Sequence, residues 1–246
     1  RQPRRAAELA RRTAARIRDI ALLRRAPQPP TAGFTLSAPH TRLNGALGHE
    51  RLAAFSRVSL ATLKSIKSAV PGTKLNDVIL AVVAGALRRF LGGHDELPGE
   101  PLIATVPVST GRGPGNNHVS FMMVPLPAHE PDARRRLVAL AGATRSAKRE
   151  HEALGGEMLR SWADLAAPNA MTAVSALYGR FRLADRHRPV ANLTISNVPG
   201  PPFPIYLAGA NLEAAYPMGP VYEGAGLNVT VMSYTGSVDF GFKDTF

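Results

Sequence analysis

Two stretches near the end of the chain alternate polar and apolar side chains with the two-residue period of a β-strand. Residues 192–196 place Asn, Thr and Ser on one face and Leu and Ile on the other. Residues 227–234 alternate in the same way up to a predicted turn at 235–236, and residues 238–242 read as a further strand. Polar side chains on buried strands need hydrogen-bond partners, so the pattern predicts a polar cavity or substrate channel beside these strands.

The clearest helical pattern spans residues 73–91, where apolar residues recur on one broad face. We expect Thr73 to cap this helix, Gly92-Gly93 to end it, and its apolar face to pack on a sheet. The other predicted elements follow in chain order: a strand at 51–60, a short helix at 61–69, a strand at 102–108, a glycine-rich loop at 109–117, a strand at 119–126, a charged helix at 132–153, further helix at 158–186, and a type II turn at Pro199-Gly200 after the strand at 192–198.

These elements together predict an α/β fold. Helices and strands mix without a regular βαβ alternation, and the late hairpins imply antiparallel pairing, so we expect a mixed sheet with helices packed on it. The length of 246 residues and a hydrophobic content of 45% are enough for one large domain or two small ones.

Composition excludes several classes of site. The chain has no cysteine, which rules out disulfides, cysteine zinc sites and cysteine nucleophiles, and the seven histidines are too scattered for a zinc site, so we expect no metal. No apolar stretch is long enough to span a bilayer. A cytoplasmic protein, with contact to a membrane from its surface at most, is the resulting expectation.

Positive charge is concentrated at the start of the chain. Residues 1–25 carry nine arginines and two acidic residues, a net of +7 out of the +12 of the whole chain. We interpret residues 1–34 as a basic amphipathic helix with a proline-rich linker, and residues 35–246 as the domain proper. A basic helix of this kind could lie on anionic lipid or approach nucleic acid, or it could be a solvated connecting helix.

Several motifs occur in a recognisable order along the domain. They are Thr-Arg-Leu-Asn-Gly at 41–45, Leu-Asn-Asp-Val-Ile-Leu-Ala at 75–81, Val-Pro-Val-Ser-Thr at 106–110 with Gly-Asn at 115–116, Ile-Ser-Asn-Val-Pro-Gly-Pro at 195–201, and Asn-Val-Thr-Val-Met-Ser-Tyr at 228–234. The series resembles the C-terminal half of the bacterial wax ester synthase/diacylglycerol acyltransferase family. The Asp-Phe-Gly at 239–241 resembles a structural motif of the wider superfamily of CoA-dependent acyltransferases and condensation domains, although Phe242 and Lys243 replace its last two residues. The resemblance implies a two-layer sandwich with a mixed sheet, the C-terminal domain of a two-domain enzyme.

The function implied by this resemblance is transfer of a fatty acyl group from acyl-CoA to diacylglycerol or a long-chain alcohol. Such enzymes carry a His-His-x-x-x-Asp-Gly motif whose second histidine is the general base. The motif is absent from this chain. We therefore expect the catalytic histidine in an N-terminal half upstream of Arg1, which would be the partner of this chain, and we expect this chain to be inactive without it. Acyl-CoA would be a substrate, no cofactor is expected, contact with a membrane or lipid inclusions is a further expectation, and nucleic acid is not an expected partner of such an enzyme.

Polar residues within the motifs are the candidate site residues. Asn76 and Asp77, in the first turn of the strongest helix, could support the developing oxyanion or could merely cap the helix. Ser196 and Asn197 could line the interface with the other half and orient a substrate, or could prepare the following turn. Thr194 and Asn228 belong to the same polar faces, and Asn44 is interpreted as a turn residue before a glycine.

A basic cluster offers a further hypothesis, because arginine binds phosphate bidentately. Arg180, Arg182, Arg186 and Arg188 could pair with the phosphates of CoA, or they could form a solvated helix end. Two other functions remain open: a condensation-type acyltransferase acting on carrier-bound or polyketide substrates, and a non-catalytic module that binds membrane or nucleic acid through residues 1–25.

Overall fold

A computed structural model describes residues 37–113, 116–154 and 179–245. The predicted basic helix and linker at 1–34 and most of the predicted helix at 158–186 lie outside these ranges.

A six-stranded mixed sheet forms the centre of the fold, as the strand patterns predict. Its strands are β1 Leu52–Ser59, β2 Leu102–Gly113, β3 Asn116–Leu126, β4 Leu193–Pro199, β7 Leu227–Tyr234 and β8 Ser237–Asp244, while β5 Tyr206–Leu207 and β6 Ala210–Asn211 form a separate small hairpin. The strand order is β1-β8-β7-β4-β2-β3, in which β2, β4 and β7 run parallel in the middle and antiparallel partners flank them. The carboxyl ends of the three parallel strands consequently lie at one edge of the sheet.

Three helices cover one face of this sheet: α1 Leu60–Ala69, α2 Leu75–Gly92 and α3 Ala133–Leu154. A single apolar cluster joins them to the sheet, since it contains alternate strand residues such as Leu193 and Ile195 together with helix residues such as Val78, Val83 and Leu140. The two-layer α/β sandwich is thus confirmed. The opposite face is not covered by these helices, and we call it the loop-covered face, since residues 37–45 and 212–221 lie against it.

The start of α2 differs from the prediction that Thr73 caps it. The Thr73 hydroxyl instead donates to the Val70 carbonyl at 2.8 Å, closing the turn after α1. The cap of α2 comes from inside the helix, where the Asp77 carboxylate accepts from the Lys74 backbone N–H at 2.8 Å. An acidic side chain in the first turn also complements the positive end of the helix dipole, so Asp77 replaces the predicted cap.

Three further local predictions need correction. Strands β2 and β3 extend through most of the predicted loop at 109–117, with a register shift between Ser109 and Arg112. The predicted helix does not reach residue 186, because Arg182 has a left-handed φ of 46° and precedes a short 3-10 turn. The type II turn at Pro199-Gly200 is wrong, since Gly200 lacks the positive φ that such a turn needs. A glycine is required at this position because a Cβ would overlap the Ser233 carbonyl.

The Asp-Phe-Gly motif holds β8 in place. Asp239 is fully buried and accepts from Arg57 at 2.7 Å and from the Ala215 backbone N–H at 3.1 Å. Phe240 points to the helix-covered core, and a Cβ at Gly241 would overlap the Pro217 carbonyl. The motif is structural, as the sequence suggests.

Candidate functional site

Two of the predicted site residues meet at the edge of the sheet where the parallel strands end. Asn76 lies in the first turn of α2 and Asn197 near the end of β4, and the Asn197 Nδ2 donates to the Asn76 Oδ1 at 3.2 Å. They are 121 positions apart, and the connection arises because α2 begins where β4 ends. Ligands of open α/β sheets bind beside the carboxyl ends of parallel strands, so the position suits a substrate.

Asp77 is held on two sides. Its side chain is 3% exposed; one oxygen accepts from the Lys74 backbone N–H and the other from the Thr144 hydroxyl at 2.7 Å. The carboxylate therefore ties the first turn of α2 to α3, and in doing so it fixes the position of the adjacent Asn76. These contacts match the capping interpretation of Asp77.

A cleft of about 370 Å³ opens beside these residues, between the start of α2 and the second half of α3. Asn76 and Asp77 line it, together with Met122 and Glu152. Four cationic side chains complete the wall, and we call the feature the basic cleft after them: Lys74, Arg145, Lys148 and Arg149. Positive charge thus faces the same opening as the Asn76 amide.

The loop-covered face holds a different pair of asparagines. Asn192 is fully buried; its Oδ1 accepts from the Ile103 N–H at 2.8 Å and its Nδ2 donates to Pro39 O at 2.7 Å and Asn44 Oδ1 at 2.9 Å. Asn44 donates in turn to the Ala191 and Gly224 carbonyls. The predicted turn at Asn44 is present, but its side chain also joins three distant segments of the chain.

The other polar strand residues lie on this loop-covered face. Asn228 is buried; its amide accepts from the Gly219 N–H at 3.2 Å and donates to the Pro220 carbonyl at 3.0 Å. Thr194 is buried and Ser196 half-buried, and both lie on strand positions that alternate with the core residues. The sequence placed Thr194, Ser196, Asn197 and Asn228 in one group of candidates, whereas only Asn197 of these faces α2.

Two arginines of the predicted cluster already have carboxylate partners in the structure. Arg182 pairs with Asp185 at 2.7 Å, and Arg188 pairs with Glu100 at 2.9 Å, so two of the four charges bind separate carboxylates. Arg180 and Arg186 are exposed. The Arg182 hydrogen bond is the main cause of the lowered pKa of Asp185.

Sequence reasoning missed the basic cleft. The signal was present, because residues 145, 148 and 149 are spaced to share one face of a helix. What the spacing did not show is that this face of α3 lies next to the start of α2, which depends on tertiary packing.

No cluster of three or more His, Asp or Glu side chains among the described residues could hold a metal ion. In the same part of the chain, no helix combines the length and the hydropathy that a bilayer crossing requires.

Comparison with known proteins agrees with the order of motifs. The model of the WS/DGAT C-terminal domain matches residues 115–244, just over half of the chain. A Mycobacterium tuberculosis protein assigned by name as a diacylglycerol O-acyltransferase is 40% identical over 207 residues, which are 83% of this chain and 45% of that protein. The O-acyltransferase WSD of Acinetobacter baylyi is 31% identical over 210 residues, 84% of this chain and 44% of that protein.

A solved structure extends the similarity to the fold. The wax ester synthase/diacylglycerol acyltransferase of Marinobacter aquaeolei VT8 superposes with a TM-score of 0.66 at 27% identity, covering 96% of this chain and 51% of that one. The chain spans about half the length of the curated relatives that it matches. With the motifs, the two-layer fold and the family match in agreement, the chain belongs to the WS/DGAT family and carries its C-terminal domain.

Proposed function

We propose that this chain is the C-terminal half of an O-acyltransferase that moves a fatty acyl group from acyl-CoA to diacylglycerol or a long-chain alcohol. The observation that carries the proposal is the Asn76–Asn197 hydrogen bond, which joins two family motifs beside an open cleft at the carboxyl ends of the parallel strands. Relatives named as diacylglycerol O-acyltransferase and O-acyltransferase WSD support this class of reaction.

The reaction sets a clear electrostatic requirement. The acceptor hydroxyl loses its proton to a base as its oxygen bonds to the thioester carbonyl carbon, and the carbonyl oxygen becomes an oxyanion. The intermediate collapses by breaking the carbon–sulfur bond, and the leaving thiolate takes up a proton. A neutral donor placed at the oxyanion lowers the barrier by about 3 kcal/mol in comparable enzymes.

Asn76 is suited to be that donor. Its Oδ1 accepts from Asn197, which leaves its Nδ2 without a protein partner among the described residues while the side chain lines the cleft. Asp77 holds the turn on which Asn76 sits, through its bonds to Lys74 and Thr144. Asn76 would thus act on the reacting atoms, and Asp77 would act through Asn76.

The base would come from elsewhere in the complete protein. The family motif with a general-base histidine is absent from this sequence, and the matched relatives are about twice as long as the matched region. We infer that a histidine of an N-terminal half takes the acceptor proton, and that this chain alone supports no turnover. Association with a membrane or lipid inclusions would follow from such substrates.

The proposal is tested by joining this chain to its N-terminal half and supplying labelled acyl-CoA. With diacylglycerol or a long-chain alcohol present, labelled triacylglycerol or wax ester should form, and this chain alone should form neither. Absence of both products from the complete, folded protein would contradict the proposal. Product formation by this chain alone would contradict the placement of the base.

A further inference from the structure

A small hairpin presents a group of large apolar side chains to solvent. It consists of β5 and β6 with the segment that leads into them, and we call residues 203–211 the apolar hairpin. Phe203 and Tyr206 are each 63% exposed, and Leu207 beside the turn is 82% exposed. Single exposed apolar residues are common on protein surfaces, whereas a group of them marks a place of contact with another molecule.

Backbone geometry and hydrogen bonds fix the shape of the apolar hairpin. Ala208 and Gly209 have φ values of 50° and 84°, the left-handed values of a two-residue hairpin turn, and this conformation is unfavourable for alanine. At the base, the Ile205 N–H donates to the Tyr234 hydroxyl at 2.8 Å, and the Leu212 N–H donates to the Ile205 carbonyl at 2.9 Å. The exposed side chains are therefore arranged before a partner binds, which lowers the entropic cost of binding.

The apolar hairpin lies at the same edge of the sheet as the Asn76–Asn197 pair. The chain reaches it from the carboxyl end of β4, and Tyr234, which binds its base, is the last residue of β7. Asn197 lies two residues before the end of β4. At about 3.3 Å per residue, Leu207 extends up to about 7 Å beyond Ile205. The hairpin thus projects from the edge that carries the candidate site.

The general base that the proposed reaction needs indicates which molecule covers this edge. The base must lie within hydrogen-bond distance of the acceptor hydroxyl, which attacks a carbonyl bound at Asn76. An N-terminal half that supplies the base must therefore close over the edge where Asn76 lies. The matched relatives have room for such a half, since the matched regions are 45% and 44% of their lengths.

The distribution of charge favours a protein partner over a lipid surface. Residues 189–212 contain no charged side chain, and the next charged residues that follow are Glu213 and Glu223. Segments that bind anionic membranes combine apolar residues with lysine or arginine. A neutral apolar surface with aromatic residues is instead typical of the centre of a protein interface, where charged residues are depleted.

We propose that the apolar hairpin is a docking surface for the N-terminal half of the complete protein, and that Phe203, Tyr206 and Leu207 are buried against that half. This inference rests on the proposed function for the existence of the N-terminal half. The hairpin holds the two halves together at the edge where the base meets the substrate bound at Asn76.

Hydroxyl-radical footprinting of the complete protein, free of lipid and substrate, tests this contact. Phe203 should be oxidised at least about fivefold more slowly than Phe181, because an interface excludes water from its centre. Phe181 is the matched control: it is exposed in this chain, and its neighbour Gly179 lies beside Glu223, ahead of the amino end of β7 and so at the opposite edge. Equal oxidation of the two rings would overturn the proposal.

Two further conditions distinguish other partners. The measurement is repeated with vesicles of phosphatidylglycerol and phosphatidylcholine, and at an about tenfold lower protein concentration. Protection of Phe203 should be present without vesicles and should persist on dilution. Protection that appears only with vesicles would assign the hairpin to a lipid surface, and protection lost on dilution would assign it to a second copy of the protein. Either result would contradict docking on the N-terminal half.

A substitution tests whether the apolar side chains maintain the contact. Leu207→Asn places an amide without a partner in the proposed interface and should raise the oxidation rate of Phe203 towards that of Phe181. Leu52→Asn is the control, because Leu52 is an exposed leucine at the start of β1, at the opposite edge of the sheet, and it should leave the rate unchanged. The same rate in both variants would reject the hairpin as the docking surface.

Footprinting requires no turnover, so it separates this inference from the proposed function. Protection of Phe203 in a complete protein that transfers no acyl group would support the contact and reject the function. Acyl transfer by a complete protein in which Phe203 reacts as fast as Phe181 would support the function and reject the contact.

Discussion

Two asparagine pairs in this domain join distant segments through side-chain amides, and they differ in what surrounds them. Asn44 and Asn192, 148 positions apart, share a hydrogen bond in a largely buried network whose other partners are backbone atoms and the Thr41 hydroxyl. Asn76 and Asn197 share a single bond at the rim of an open cleft. In the part of the chain that the structure describes, the side-chain amides of the first pair all have hydrogen-bond partners, whereas the Asn76 Nδ2 has none.

The difference teaches how to separate structural from functional polar residues. A buried polar group that has all its partners costs free energy when removed, because the partners lose their hydrogen bonds without gaining water. A polar group at an open rim contributes little to stability, so such a residue is a better candidate for contact with a ligand than for support of the fold. Substitutions in the two regions should therefore affect different measurements.

The largest effect on stability is expected at Asn192. Replacement by Ala leaves the buried Ile103 N–H without its acceptor and deprives Asn44 of a donor. The free energy of unfolding should fall by about 3 kcal/mol, measured by urea denaturation. Asn211→Ala, an exposed position in β6, is the control and should change it by less than about 0.5 kcal/mol. Equal, small effects at both positions would remove the distinction between the two asparagine pairs.

A second loss of stability is expected at Gly241 on the loop-covered face, where the backbone at Pro217 lies very close to the strand. Gly241→Ala places a methyl group against the Pro217 carbonyl, so strand or loop must shift, and we expect a loss of about 2 kcal/mol in the same assay. Gly142 in α3 is the matched control, since a Cβ there meets nothing within 4 Å. Gly142→Ala should raise stability by up to about 1 kcal/mol. A neutral Gly241→Ala variant would show that residues 212–221 are not held against the sheet.

A smaller, pH-dependent effect is expected at Asp239. Burial alone would raise the pKa of this carboxyl, but the hydrogen bonds from Arg57 and the Ala215 N–H outweigh burial and hold the pKa below its ordinary 3.8. The carboxylate therefore stabilises the fold above about pH 4, and this contribution disappears as the pH falls through the lowered pKa of the folded state.

Asp239→Asn should accordingly lower the free energy of unfolding by about 1 to 2 kcal/mol at pH 7, and the difference from wild type should shrink below pH 4. Glu50→Gln, at an exposed position, should show little difference at either pH. A difference that stayed constant down to pH 2 would exclude the Arg57 ion pair as its cause.

Local patterns predicted most of the fold. Alternation identified the strands of the central sheet, and the apolar stripe at residues 73–91 identified α2, because both patterns are imposed by the core itself. Predictions failed where a contact from elsewhere decides the geometry. The Thr73 hydroxyl donates to the Val70 carbonyl, while Asp77 caps α2. Gly200 is needed because a Cβ there would overlap the Ser233 carbonyl on the neighbouring strand.

The candidate site was predictable only in part. Asn76 and Asn197 were singled out from the motifs, yet nothing local shows that they touch. Alternation along β4 already separates Thr194 from Asn197, whereas the face on which Asn228 lies relative to Asn197 depends on how β7 pairs with β4. The basic cleft needed both α2 and α3 to be positioned. Spacing along one helix reveals a shared face, whereas the identity of its neighbour depends on the tertiary fold.

The most direct test of the account is the turnover of an Asn76→Ala variant in the complete protein, measured beside its free energy of unfolding. We expect kcat to fall about 100-fold or more, as for loss of one oxyanion donor, while stability changes by less than about 0.5 kcal/mol because the lost bond lies at an open rim. Unchanged kcat, or a fall in activity explained entirely by unfolding, would contradict the claim that this asparagine pair belongs to the reaction and not to the fold.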